Sequence, residues 1–503
     1  MPNPLYDALF QPHAGSEKPF LVLKDGQTIS YRAFLKMADG IGTSLLASGA
    51  APGERVAVQV AKSPQALALY AACVKIGAVF LPLNTAYTPN EVRYFVTDAS
   101  PKVVVGDPKV ADELGAIANE CDATLLTLGA DGSGSLIPRA TQIREVEIAD
   151  RSGDDLAAIL YTSGTTGRSK GAMLSQNNLL SNAKVLVDYW RFTADDALLH
   201  ALPIFHTHGL FVASNVMLLA GGSMIFLPSF NQDDMIALLP RSTSMMGVPT
   251  FYTRLLDDER FDGDLTKHMR LFISGSAPLL AETHVEFEER TGHRILERYG
   301  MTETNMNTSN PYDGERKAGT VGLPLPGTEV RIADPDTGNG IEPGAVGSIE
   351  IRGANVFSGY WNMPEKTAEE FRENGFFISG DLGTQDEDGY ISIVGRAKDL
   401  IISGGYNIYP KEVELVIDEI EGVKESAVVG VPHPDFGEGV VALVVPEPEG
   451  TVTSEAIAAA LKDNIARFKQ PKHIAFTDAL PRNTMGKVQK NIIRDEFGGL
   501  FQR

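Results

Sequence analysis

Short apolar runs rich in β-branched residues alternate with helical patterns through the first part of the chain. The run VAVQV at residues 56–60 is followed by Ser63, a typical N-cap, by Pro64 at the first helical position, and by the helical pattern QALALYAACVKIG. Further apolar runs recur at residues 102–105, 124–128, 200–205, 223–227 and 270–273. This alternation predicts an α/β fold in which helices are layered around largely parallel sheets.

The pattern changes after about residue 325. The stretches EVRIAD, GSIEIRG and YISIVGR are separated by turns rich in Gly, Pro and Asp, which predicts an antiparallel sheet or barrel. From residue 398 onward, helical patterns at 410–420 and 454–468 with short strands between them predict a small α+β unit. We therefore expect an N-terminal domain at residues 1–397, with a β-rich subdomain at about 325–397, and a C-terminal domain at 398–503.

Composition limits the classes of partner. The 503 residues are too many for one ordinary core, and a net charge of -21 argues against nonspecific binding to nucleic acids or anionic membranes. Two cysteines, Cys73 and Cys121, provide neither a disulfide framework nor a metal-ligand cluster. The chain has no signal-peptide pattern and no apolar run long enough to span a bilayer, so we expect a soluble, cytoplasmic protein.

The stretch YTSGTTGRSKG at residues 161–171 is the strongest local signal. It follows the apolar run 156–160, and its glycines, hydroxyls and lysine suit a polyphosphate, because they provide backbone amides, further donors and a positive charge. Ser169 stands where a Walker A loop needs its second glycine, so the pattern is a different one. Composition alone would also permit an ordinary surface turn. The phosphate-binding candidates are Thr162, Ser163, Gly164, Thr165, Thr166 and Lys170.

Three further stretches follow in order: YGMTET at 299–304, ISGDL with GRAKD at 378–382 and 395–399, and LPRNTMGK at 480–487. Together with the 161–171 loop they resemble the motifs of the adenylate-forming enzymes, which include acyl-CoA synthetases, firefly luciferase and peptide-synthetase adenylation domains. The resemblance covers nearly the whole chain. It implies a reaction of a carboxylate with ATP to an acyl-adenylate and pyrophosphate, with Mg²⁺, followed by movement of the small domain and displacement of AMP by coenzyme A.

The resemblance also implies roles for residues of the YGMTET motif and nearby segments. Tyr299 would stack on adenine, Thr302 would bond the α-phosphate, and Glu303 would help to hold Mg²⁺, which commonly takes one or two carboxylates plus substrate phosphates. The segment SGSAP at 274–278 would line both the nucleotide and acyl sites. Its candidates for nucleotide binding are Ser276, Ala277 and Pro278.

Residues nearer the C-terminus complete this set of implied roles. Asp381 would bond the ribose hydroxyls, Arg396 would help to hold the nucleotide, and Lys398 would be the hinge. Lys487 would stabilise the charge that develops on the phosphoryl oxygens. Gly405, in the loop SGGYNIYP, would line the pantetheine channel, although its stretch could equally be a simple turn.

The segments that correspond to the acyl pocket are 203–209, 247–255, 274–278 and 301–309, and they are crowded and polar. Arg254 is a cation without an acidic partner in its segment, and a buried guanidinium is costly unless a substrate carboxylate pairs with it. This favours a short dicarboxylate, and the same stretches are similar to those of family members that act on malonate, with methylmalonate as a second substrate. The alternative is that Arg254 lies on the outer face of its helix and pairs with Asp257 or Asp258.

Other pocket candidates have alternative interpretations as well. His206 would be a catalytic gate or polar contact, or else a helix-start or core histidine, while Thr207, Ser274 and Met306 would contact the substrate and set the pocket volume. The alternative functions are ligation of acetate, oxalate or succinate, or a nucleotide sensor without catalysis. We further hypothesise that a lysine acyltransferase inactivates the enzyme by acylating Lys487. The sequence does not indicate an oligomeric state.

Overall fold

A computed structural model describes residues 2–162, 169–277, 279–403, 406–448, 450, 452–465, 467–483 and 486–501. Its internal contacts divide the chain into two units. The first unit consists of Met1–Val330 and Ile351–Phe377, and the second unit of Arg331–Glu350 and Ile378–Arg503. Parts of the predicted β-rich subdomain therefore group with the C-terminal segment, and the hinge at residue 398 stays a prediction.

The first unit contains the predicted alternation of helices and strands. Its helices in the described ranges are α1 (Pro4–Leu9), α2 (Tyr31–Ala47), α3 (Pro64–Ile76), α4 (Pro89–Ala99), α5 (Ala111–Asn119), α6 (Gln176–Tyr189), α7 (Asn215–Ala220), α8 (Gln232–Leu238), α9 (Pro249–Leu256), α10 (Gly263–Thr266), α11 (Ala281–Thr291) and α12 (Pro364–Glu369). A π-helical segment, His208–Ser214, precedes α7. The Ser63 hydroxyl caps α3 by accepting from the backbone of Ala66, as the sequence predicts.

Two sheets of the first unit carry the fold. Their strands are β1 (Pro19–Val22), β2 (Thr28–Ser30), β3 (Arg55–Gln59), β4 (Val79–Pro82), β5 (Val103–Gly106), β6 (Thr124–Thr127), β7 (Leu156–Thr162), β8 (Lys170–Ser175), β9 (Ala197–His200), β10 (Ser223–Phe226), β11 (Ser244–Gly247), β12 (Leu271–Ser274), β13 (Leu296–Met301), β14 (Asn305–Ser309) and β15 (Leu323–Pro324). The six-stranded order is β6-β5-β3-β4-β7-β8, and the nine-stranded order is β15-β14-β13-β12-β11-β9-β10-β1-β2. Both sheets are parallel in their centres and antiparallel at an edge, which confirms the predicted α/β class.

One predicted strand is displaced. The apolar run 200–205 was expected to be a strand, but β9 ends at His200. Pro203 lacks a backbone N–H and cannot continue a central strand, so the remaining apolar residues form a loop beside the π-helical segment.

The second unit contains most residues of a four-stranded sheet and all of a five-stranded sheet. Strands β16 (Thr328–Ala333), β17 (Gly347–Gly353), β18 (Phe377–Gln385) and β19 (Ile391–Arg396) form a four-stranded sheet whose β18–β19 pair is antiparallel, as predicted. The five-stranded sheet consists of β20 (Ile401–Ser403), β21 (Tyr406–Ile408), β22 (Val423–His433), β23 (Gly437–Pro446) and β24 (His473–Phe476). The helices that pack on it are α13 (Pro410–Asp418), α14 (Ser454–Asn464) and α15 (Lys490–Phe497).

Alternate residues of β22 and β23 build two separate cores in the second unit. Val428, Val440 and Ala442 belong to the core that includes residues of α13 and α14, whereas Val429 and Val441 belong to the core that includes α15. This is the period of two that a strand imposes on its side chains.

Within the described ranges, no helix is both long and apolar enough to cross a membrane.

Candidate active site

Several predicted site segments meet at the carboxyl ends of neighbouring strands in the first unit. Strands β11 and β12 run parallel and end side by side, with Gly247 paired to Ser274, and β13 continues the edge with Glu297 opposite Ser274. Strand β14 then returns antiparallel to β13 and places Met306 opposite Gly300. Open α/β sheets bind ligands at this edge. The described residues of the predicted acyl segments 247–255, 274–278 and 301–309 therefore lie together.

A set of buried polar atoms in the segments 203–209, 274–278 and 301–309 and in β13 lacks hydrogen-bond partners among the described residues. Buried polar groups are normally bonded, so such a concentration indicates a place for a polar ligand. The atoms are Thr207 Oγ1, His208 Nε2, Ser274 Oγ, Arg298 Nε and Nη2, Thr304 Oγ1, Asn305 Nδ2 and Oδ1, and Asn307 Nδ2.

Arg298 is the most unusual member of this set. It lies in β13 with 2% of its surface exposed, and its guanidinium packs so closely on Gly275 that a Cβ there would come within 2.5 Å of Cζ. Among the described residues Arg298 Nε and Nη2 have no hydrogen-bond partner, and burial lowers the pKa of the guanidinium to about 9 although the charge of neighbouring Glu297 opposes that shift. An unpaired buried cation is costly, so the position suits an anion.

The sequence interpretation missed Arg298 and chose Arg254 instead. Arg254 is exposed, because α9 buries Tyr252, Leu255 and Leu256 on its opposite face, and its guanidinium lies 5.7 Å from the ring centroid of Phe230. The expectation of a buried Arg254 is therefore wrong, although contact with substrate stays a prediction. The alternative position, on the outer face of the helix, is confirmed. The pairing with Asp257 or Asp258 that accompanied it is not present among the described residues, where Asp258 is bonded to Arg260. A charged residue inside the strand LERYGM was the signal for Arg298.

The histidine segment lies beside this cation. His208 is buried, its Nδ1 is 3.2 Å from Ser276 Oγ, and its backbone N–H donates to His206 Nδ1 at 3.4 Å. Burial, and then the charge of Arg298, holds the pKa of His208 well below its usual range, so its imidazole is neutral. Thr207 is buried and His206 is half-buried. The structure brings five of the predicted site residues into one neighbourhood, namely His206, Thr207, Ser274, Ser276 and Met306. Their roles stay predictions.

The stem of the predicted phosphate loop is a β-hairpin. Strands β7 and β8 are antiparallel, with Thr162 opposite Lys170. The Tyr94 hydroxyl donates to the backbone carbonyl of Ser169 at 2.8 Å, which fixes the exit of the loop. The described residues do not include four of the phosphate-binding candidates, Ser163, Gly164, Thr165 and Thr166. They also do not include Pro278 and Gly405, whose expected roles therefore stay predictions. Ala277 is half-buried beside Ser276.

The YGMTET motif places a carboxylate near the exit of this hairpin. Tyr299 and Glu303 are buried, and Thr302 is half-buried. The Tyr360 hydroxyl lies 3.1 Å from Glu303 Oε1, and burial together with neighbouring carboxylates raises its pKa, so it remains a donor. One buried carboxylate held in this way fits a Mg²⁺ ion that takes its remaining ligands from phosphates and water.

The second unit holds the remaining candidates. Asp381 and Arg396 face each other across β18 and β19, and Arg396 Nε bonds Asp381 Oδ1 at 2.8 Å. Burial lowers the pKa of Lys398. Lys487 is exposed in a loop closed by two bonds to Asn483, Lys487 N to Asn483 Oδ1 at 3.0 Å and Asn483 N to Lys487 O at 2.9 Å. The roles of these residues stay predictions.

Comparison with known proteins agrees with this architecture. The chain matches the AMP-binding enzyme family over residues 10–361 and the C-terminal domain of AMP-binding enzymes over residues 412–487. It is 56% identical to ATP-bound MatB from Rhodopseudomonas palustris, with 100% of both chains covered and a TM-score of 0.97. Malonate–CoA ligase of Arabidopsis thaliana is 34% identical over 89% of this chain and 78% of its own length. Indoleacetate–CoA ligase of Aromatoleum aromaticum is 34% identical over 96% of both chains.

Proposed function

Since this chain belongs to the family of AMP-binding enzymes, we propose that it joins malonate to coenzyme A through an acyl-adenylate, with release of AMP and pyrophosphate. AMP-forming CoA ligases of this family use ATP, coenzyme A and Mg²⁺. The wide range of acids among relatives at 34% identity means that the choice of acid must come from the residues of the site.

The observation that supports malonate is the buried, unpaired guanidinium of Arg298. A dicarboxylate can present one carboxylate for reaction and the other to this guanidinium, and a bidentate bond would offset the cost of burying the charge. Ser274 Oγ and the His208 ring offer further polar contacts in the same neighbourhood. A monoacid such as acetate would leave the guanidinium unpaired.

The reaction has two steps. In the first, a carboxylate oxygen of malonate attacks the α-phosphorus of ATP, the bond to pyrophosphate breaks, and malonyl-AMP forms. Thr302 and Lys487 would donate to the phosphoryl oxygens as negative charge develops there. Asp381 would accept from the ribose hydroxyls, and Tyr299 would stack on the base. Mg²⁺ held by Glu303 would neutralise charge on the triphosphate.

In the second step the sulfur of coenzyme A attacks the carbonyl carbon of malonyl-AMP, and the bond to AMP breaks. The small C-terminal domain would turn about Lys398 between the steps, which removes Lys487 from the reacting phosphate. Thr207 and Met306 would set the volume around the central carbon of malonate. Discrimination against one methyl group is worth only about 1–3 kcal/mol, so methylmalonate should also react.

An acid panel tests the proposal. Pyrophosphate release is measured with ATP, coenzyme A and, in turn, malonate, methylmalonate, succinate, oxalate, acetate and the monomethyl ester of malonate. The ester is the matched control, because it removes one charge and adds only one methyl group, as methylmalonate also does. We expect malonate to have the highest kcat/KM and the ester to lose at least about 2 kcal/mol of transition-state stabilisation. An enzyme that prefers the ester, acetate or succinate would contradict the proposal.

Two further parts of the proposal concern the cell. We place the enzyme in the cytoplasm, where coenzyme A and ATP are available and where reduced cysteines are normal. The exposed Lys487 is also proposed as the target of a lysine acyltransferase. Fractionation of cells with a marker enzyme tests the first statement, and mass spectrometry of Lys487 tests the second.

A further inference from the structure

Four side chains of the first unit form a continuous series of contacts from the exit of the 161–171 hairpin to Glu303. Lys170 Nζ lies 2.7 Å from Glu370 Oε1. The other oxygen of Glu370 lies 2.6 Å from the hydroxyl of Tyr360, and the same hydroxyl lies 3.1 Å from Glu303 Oε1. The series therefore joins a predicted phosphate-binding residue to the predicted metal carboxylate.

Tyr360 is fixed in this arrangement by its surroundings. It is 2% exposed, its ring packs edge-on against Phe357 with centroids 4.8 Å apart, and the ammonium of Lys170 lies 4.0 Å from its ring centroid. Its backbone N–H donates to Thr367 Oγ1 at 2.9 Å, and it forms a bridge with Ala172 of β8. The hydroxyl therefore cannot move away from the two carboxylates unless the packing of Tyr360 against Phe357 changes.

The geometry fixes both ends of the series. The single proton of the Tyr360 hydroxyl lies within hydrogen-bond distance of one oxygen of each carboxylate, with Glu370 the nearer at 2.6 Å and Glu303 at 3.1 Å. Glu370 accepts from the Lys170 ammonium with its other oxygen. Lys170 and Glu370 are far apart in the sequence, so this pair ties β8 to the segment that follows α12. Groups that are already in place lose little conformational freedom when a ligand binds.

We propose that Tyr360 and Glu370 are positioning residues for the metal–triphosphate: they hold Lys170 and Glu303 so that both act on the same bound nucleotide. This inference rests on the proposed function, because it requires ATP and Mg²⁺ at these residues. It assigns the pair a role in nucleotide and metal affinity, and none in the choice of acid.

The test measures metal and nucleotide binding directly, without turnover. The full chain is titrated with Mn²⁺ and a non-hydrolysable ATP analogue in the absence of malonate, and bound Mn²⁺ is followed by electron paramagnetic resonance. Tyr360→Phe removes only the hydroxyl, and Glu370→Gln removes only a charge. The matched control is Tyr31→Phe, because the Tyr31 hydroxyl is equally buried and donates to the Gly222 carbonyl at 2.6 Å.

We expect both Tyr360→Phe and Glu370→Gln to weaken binding of the Mn²⁺–nucleotide about tenfold, the size of effect produced by losing one hydrogen bond to a charged group. The KM for malonate should not change, and Tyr31→Phe should bind like the wild type although it loses similar thermal stability. Wild-type affinity in both test variants would overturn this inference alone. A wild-type protein that binds no Mn²⁺–nucleotide would overturn the proposed function together with it.

Discussion

Replacing Arg298 by Met should make the unliganded protein more stable while removing malonate activity. Burial lowers the pKa of Arg298 to about 9, which corresponds to a free-energy cost of about 5 kcal/mol for keeping the guanidinium charged in the folded protein. Because the pKa is lowered in the folded state, this cost is fully present below about pH 9 and declines as the pH rises from that value toward the ordinary pKa of arginine. Loss of packing by the guanidinium reduces the net gain, so we expect about 2–4 kcal/mol of added stability at pH 7.

The same substitution should lower kcat/KM for malonate by an amount that corresponds to about 3–5 kcal/mol of lost transition-state stabilisation, since it removes one partner of a buried charge pair. It should leave the activity on acetate unchanged. Urea denaturation without ligands and pyrophosphate release with both acids measure the two effects. The matched control is Arg254→Met, at an exposed arginine on α9, which should change stability by less than about 0.5 kcal/mol. A destabilised Arg298→Met protein with normal malonate kinetics would refute the reasoning.

Three other predictions concern the second unit. Lys487→Ala should abolish formation of malonyl-AMP but leave the attack of coenzyme A on supplied malonyl-AMP largely intact, and equal loss in both half-reactions, measured separately, would contradict domain alternation. Acylation of Lys487 should inactivate the enzyme because it removes the charge, and mass spectrometry that finds a fully modified, fully active protein would reject this. Burial raises the pKa of Asp418 to about 6, so the stability that its neutral form confers is fully present below about pH 4 and is lost as the pH rises through 6. Asp418→Asn should therefore add about 2–3 kcal/mol to the free energy of unfolding at pH 7. If the variant keeps the wild-type difference in urea stability between pH 4 and pH 7, Asp418 does not cause that difference.

Much of the fold follows from local patterns in the sequence. The cap at Ser63, the parallel α/β alternation and the antiparallel pair of β18 and β19 depend on residues close together in the chain, and each is present as predicted. The early end of β9 at His200 also has a local cause, Pro203. The prediction gave more weight to the apolar run 200–205 than to this proline.

The location of the buried cation had only weak signals in the sequence. Arg254 and Arg298 are both single arginines in apolar segments, and their burial depends on which face of α9 or β13 meets the sheet. Helical spacing of Tyr252, Leu255 and Leu256 could have indicated that Arg254 points outward. The series from Lys170 through Glu370 and Tyr360 to Glu303 joins residues distant in sequence, so only tertiary structure brings it together.

Transfer of labelled oxygen tests the central claim most directly. When malonate labelled with ¹⁸O in its carboxylates reacts with ATP and coenzyme A, attack of a carboxylate oxygen on the α-phosphorus must leave a single labelled oxygen in the AMP. We therefore predict labelled AMP and unlabelled pyrophosphate by mass spectrometry. Label in inorganic phosphate together with formation of ADP, or unlabelled AMP, would contradict an acyl-adenylate of malonate.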